Sequence, residues 1–141
     1  MVTWGITWMV LPRDVYKRQP WYFDMVDGRY DMAWQYINDK NVFKAPYGLT
    51  FCQQDHRGFK LDYTGHECKW NGPSWPLTTS FTLDAMARML HKRECDYVDK
   101  TDFYDLLTVY SNSQRIVDEQ GRIVPWIDEN LNCLLCTSRC V

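Results

Sequence analysis

Apolar positions recur with helical spacing in three stretches of this chain, and a long aperiodic stretch separates the first from the second. Val26, Tyr30, Ala33, Trp34 and Ile37 stand on one face of a 3.6-residue period. They predict a helix over residues 27–38, with Asp24 or Asp27 as its cap. A second helix is predicted over residues 76–91. Pro76 suits a first turn, where its missing N–H costs nothing. Leu77, Phe81, Leu83, Ala85, Met86, Met89 and Leu90 spread its apolar surface over most sides, as in a helix buried within a larger body. Phe103, Leu106, Leu107 and Tyr110 form a narrower stripe and predict a third helix over residues 102–114, with Thr101 as N-cap. The short link between the second and third helices predicts an antiparallel αα-hairpin.

Residues 41–75 keep no period. Gly48, Gly58, Gly65, Gly72, Pro46 and Pro73 punctuate them. Typical connections run ~4–6 residues, and much longer ones are functional or disordered. Phe43, Tyr47, Phe51, Phe59, Tyr63, Trp70 and Trp75 argue against disorder here. Short strands are expected near residues 49–52 and 59–63, a turn at 118–121, and an extended segment over 123–127.

Composition narrows the class. The chain has 141 residues, 45% hydrophobic and 24% charged, with mean hydropathy −0.48. It reads as a soluble globular domain, or a piece of one, rather than a disordered or collagen-like chain. Sixteen basic against 18 acidic residues, net −2, speak against a nucleic-acid binder, which shows a basic stripe. No run reaches the ~18 apolar residues of a membrane span. Aromatic residues make up 16%, with seven Trp and nine Tyr. Such rings suit sugar-stacking surfaces as well as cores.

The two ends differ from the middle. Residues 1–11 are apolar but lack the basic flank and small-residue cleavage site of a signal peptide. Cys133, Cys136 and Cys140 crowd the other end. Cys133-x-x-Cys136 could be half a zinc site or a redox pair, but the sequence offers neither a second ligand pair nor a βαβ context. RDVYKRQ and LLCTSRCV resemble peptides that arise where sequencing-adaptor DNA is translated at the edges of environmental gene fragments. On that resemblance residues 1–19 and 133–141 are non-native and residues 20–132 are the gene product. Its remaining cysteines, Cys52, Cys68 and Cys95, have no motif spacing and indicate no compartment.

Two clusters carry candidate chemistry. The first is the run from His66 to Pro76, where glycine and proline set a rigid turn before a helix. Trp70 and Trp75 offer flat faces to sugar C–H groups, while His66, Glu67 and Asn71 offer directional hydrogen bonds. The alternative is that the tryptophans plug the helix end and Asn71 bonds backbone. The second cluster is Asp128-Glu129. Adjacent side chains point apart, so at most one of them is catalytic, its partner lying elsewhere; the alternative is an exposed acidic loop.

The heptad WNGPSWP at residues 70–76, followed by a helix, resembles the Gly-Pro motif of six-hairpin glycosidases. These include family 63 glucosidases, mannosylglycerate hydrolases with their bacterial relatives and, more distantly, trehalases. PWIDENLN at 125–132 is similar to the motif around their general base, and Tyr47-Gly48 and Gly65-His66-Glu67-Cys68 fit the same group. The resemblance spans residues 20–132. It implies an all-α fold, part of an (α/α)6 toroid, with about three main helices and the aromatic-rich loop. It implies a glycosidase acting by inversion, Glu129 as general base, and a sugar pocket lined by Trp70, Asn71, Trp75, His66, Glu67 and Trp126. Carbohydrate would be the partner, with no cofactor and no metal; the general-acid Asp would lie upstream of this chain. Leu131 stands where many relatives carry Tyr, Asn71 where many carry Arg, and the usual Thr-Gly turn is missing after Asn132. The competing function is a non-catalytic helical module that binds carbohydrate or protein through residues 41–75. It predicts ligand binding by this segment alone and no acidic motif upstream.

Overall fold

The structure, a computed structural model, describes residues 19–61 and 71–126. It is mostly helical, with two small antiparallel hairpins. The order is helix α1 (Gln19–Tyr22), a 3-10 helix (Gly28–Ile37), strands β1 (Lys44–Ala45) and β2 (Gly48–Leu49), helices α2 (Pro76–Lys92) and α3 (Lys100–Ser113), and strands β3 (Arg115–Val117) and β4 (Ile123–Pro125). No described helix is long and apolar enough to cross a membrane.

The first predicted helix is present, capped by Asp27 through Arg29 N–H at 3.0 Å, but it winds as a 3-10 helix. Its buried residues show why. Asp31, Trp34 and Ile37 recur every third position, and three residues per turn stack them on one face. Asp31 would be an expensive member of that face if left bare. Instead it accepts from Trp21 Nε1 at 3.0 Å and from Arg93 Nε and Nη2 at 2.8 and 2.7 Å. The fork-to-carboxylate pairing raises the Arg93 pKa further above its ordinary value. One carboxylate thus ties α1, the 3-10 helix and the C-cap of α2 together. Trp21 also meets Trp34 edge-on, ring centroids 5.6 Å apart.

Helix α2 starts at Pro76 as expected and extends one residue further, to Lys92. It buries Thr78, Thr79, Thr82, Leu83, Ala85, Met86 and Met89 against a core that holds Trp34, Phe43, Trp75, Val98 and Leu106. Helix α3 starts earlier than the Thr101 cap predicts. Asp99 is the N-cap, accepting from the N–H groups of Thr101 and Asp102, while Asp102 accepts from the N–H of Asp99. Only Leu106 of the α3 stripe is buried.

The strands are shorter than expected. Lys44 pairs with Leu49 and Ala45 with Gly48. Thr50 N–H still donates to Phe43 O at 2.9 Å, in register with the hairpin, but Phe51 N–H turns to Pro73 O at 3.2 Å. The strand expected at 59–63 does not form over residues 59–61, and its remainder lies outside the described residues. The turn at 118–121 joins β3 to β4, whose pairing sets Val117 opposite Ile123.

Candidate functional site

The described part of the site begins at a tight turn over residues 53–59. His56 N–H donates to Gln53 O at 3.1 Å, and Phe59 N–H returns to His56 O at 2.8 Å. Gly58 N–H donates to His56 Nδ1 at 3.1 Å. Asn71 docks on this turn, its Nδ2 donating to Gly58 O at 2.8 Å. Lys60 N–H donates to Asn71 O at 3.0 Å. Gly72 then lies against Lys60: a Cβ on residue 72 would stand 1.8 Å from the Lys60 carbonyl oxygen. Only glycine permits that approach.

Pro73, Ser74 and Trp75 follow as buried residues and lead into α2. Trp75 is the N-cap, with extended backbone and no side-chain cap. Its carbonyl receives Thr78 Oγ1–H at 2.9 Å and Thr79 N–H at 3.0 Å. The turn is therefore rigid, as its glycine and proline content predicts, and both its sides are hydrogen-bonded to neighbouring backbone.

Of the residues singled out from sequence, Asn71 is exposed at this turn, and Trp75 is in the core at 2% exposure. Asn71 does bond backbone, and Trp75 does fill the head of α2. Trp126 is half-buried just past β4, its N–H donating to Gln114 O at 2.9 Å. Its indole Nε1 is buried without a hydrogen-bond partner among the described residues. His66, Glu67, Trp70 and Glu129 lie outside the described residues. The His56–Gly58 turn was not singled out from the sequence. Its only signal there is Gly58 within a polar run of the aromatic-rich loop.

The carboxylates held below their ordinary range serve caps and turns. Asp27, clasped by Arg29, is lowered to about 2. Asp24 is lowered by Lys92, Asp99 by backbone N–H groups of α3, and Asp118 by the N–H of Arg122. Among the described residues no three His, Cys, Asp or Glu side chains gather as a metal site.

Comparison with known proteins places this geometry. Residues 9–133 match the family described as the mannosylglycerate hydrolase MGH1-like glycoside hydrolase domain. The chain belongs to this family. A solved chain named "Sialidase" is similar to the MGH1-like domain described here, with 31% sequence identity and a TM-score of 0.77. The likeness covers 89% of this chain and 11% of that one, so the MGH1-like segment spans about a tenth of its neighbour's length. No curated protein sequence matches the chain.

Proposed function

We propose that this chain is part of the catalytic domain of an inverting glycoside hydrolase, built as an (α/α)6 toroid around a sugar-binding pit. The observation that carries the reading is the family match over residues 9–133. The rigid, backbone-anchored turn at Asn71 and Gly72 is consistent with it, because a binding group has to be held in place by its surroundings.

In this reading Glu129 is the general base. It removes a proton from water on the far side of the sugar, while an aspartic acid outside this chain protonates the glycosidic oxygen. The two carboxyls of an inverting pair stand ~6.5–9.5 Å apart. Asn71, exposed beside the turn, offers its amide to a sugar hydroxyl, and Trp75 supports that wall from within the core. Trp70, His66, Glu67 and Trp126 complete the pocket. The chemistry is proton transfer between carboxyls, water and sugar, and it calls on no cofactor.

The segment alone binds sugar weakly and does not hydrolyse glycosides, since it lacks its acid. Glycosidic turnover by the isolated chain, abolished by Glu129→Gln, would overturn that. In the longer enzyme that contains this segment, Glu129→Gln is expected to lower kcat by about 10²–10⁴-fold with substrate binding retained. Unchanged kcat would remove Glu129 from the mechanism. Residues 1–19 and 133–141 are, on the same reading, adaptor-derived. The family match enters the first of these from residue 9. The native DNA of a longer contig reads out where the gene begins.

A further inference from the structure

We infer that His56 is a further sugar-contacting residue of this site, donating a hydrogen bond from Nε2 to a hydroxyl of the bound carbohydrate. The inference rests on the carbohydrate reading above and adds a residue to it.

Gly58 is the pivot. Its carbonyl receives Asn71 Nδ2–H at 2.8 Å, and its own N–H donates to His56 Nδ1 at 3.1 Å. Two hydrogen bonds to one residue therefore link the motif asparagine to the imidazole. An Nδ1 that accepts carries a lone pair, so the neutral ring holds its proton on Nε2. Nε2 has no hydrogen-bond partner among the described residues. The ring is half-buried, and the backbone on both sides of it is bonded within the turn. A Cβ on residue 58 would stand 3.2 Å from Nδ1, so glycine is what allows the ring to lie close against the turn.

The result is an N–H donor held by its ring's bond to the turn and linked through Gly58 to the exposed Asn71. Sugar hydroxyls both donate and accept, and a donor already fixed in direction loses little freedom on binding. Asn71 and His56 are then coupled through Gly58, whose carbonyl accepts from one and whose N–H donates to the other.

The test uses the 141-residue chain labelled with 15N. Long-range 1H–15N spectra report each histidine's tautomer, and His56 is expected as the Nε2–H form. The probes are α-mannosylglycerate, methyl α-mannoside and methyl α-glucoside at millimolar concentration. A sugar that shifts the Asn71 side-chain amide is expected to shift His56 Nε2 at the same midpoint. His56→Ala should weaken that sugar about three- to tenfold. His56→Gln, whose amide N–H can take the place of Nε2–H, should restore most of the loss. A sugar that moves Asn71 but leaves His56 Nε2 unmoved overturns this inference and leaves the carbohydrate reading standing. If no probe moves Asn71 or His56, sugar binding at this turn is lost and the inference with it. The wild-type spectra decide even if the alanine variant fails to fold.

Discussion

Asp31 shows how much one side chain can hold. The carboxylate is 5% exposed and neutralised by a two-bond guanidinium fork from Arg93, with Trp21 as a third donor. Removing it leaves Arg93 and an indole N–H without their acceptor. Asp31→Ala is expected to cost about 3 kcal/mol, read from the shift of a urea unfolding midpoint. Arg93→Met should cost at least as much, because the stranded carboxylate is the more buried partner. Gly72→Ala fails for a different reason. Its Cβ meets a backbone oxygen, which cannot rotate away as a side chain can. The expected loss is at least the ~1–3 kcal/mol of core overpacking. Neither role is visible in the sequence. Asp31 stands between apolar positions as an ordinary polar residue, and Gly72 reads as turn chemistry when the deciding partner is Lys60, twelve positions earlier.

Among the elements, α3 depends on a cap that the sequence half discloses. Asp99 and Asp102 exchange hydrogen bonds with each other's backbone N–H. The second position is Asp, where Glu or Gln is usual, so the stripe from Phe103 draws the eye to Thr101 instead. Helix α2 is legible because Pro76 marks its start and its apolar residues recur on most of its sides up to Leu90. The β3–β4 hairpin was only half legible. Its turn and second strand can be read, but three-residue strands carry too few positions for a period to show. Helix type was not legible either. The same Trp34 and Ile37 fit a 3.6-residue and a 3-residue repeat, and Asp31, not an apolar residue, separates the two.

The caps make stability depend on acid. Asp27, Asp99 and Asp118 have folded pKa values below the ordinary 3.8, so the unfolded chain takes up their protons first. Their contribution is complete above about pH 4 and is lost as pH falls through the folded values, for Asp27 near 2. Thermal melts are expected to move to lower temperature on going from pH 5 to pH 2. Asp99→Asn should flatten that slope, and an unchanged slope would take Asp99 out of the account.

At the scale of the molecule, several large apolar side chains stand open to solvent. Most of the apolar surface of α2 is packed, as its spread over most sides of the helix predicts, and Leu77 is its large exposed apolar residue. Among the described residues Phe23 and Met25 are exposed just after α1, and Tyr104, Leu107, Val117 and Ile123 on α3 and the hairpin beyond it, the last at 71%. Val117 and Ile123 face one another across the ribbon, so their exposure forms one apolar spot. Such surface favours association. Sedimentation is expected to show mass rising with concentration, and Val117→Lys with Ile123→Glu should return the chain toward monomer. A wild-type monomer with a sharp cooperative melt would count against this. The N–H of Lys60 and the carbonyl of Asn71, eleven positions apart in sequence, stand 3.0 Å apart. A segment whose ends are joined by the scaffold can change length at a cost of only ~0.6 kcal/mol per doubling. Insertions between residues 60 and 71 are therefore expected to cost little stability as long as this hydrogen bond is kept.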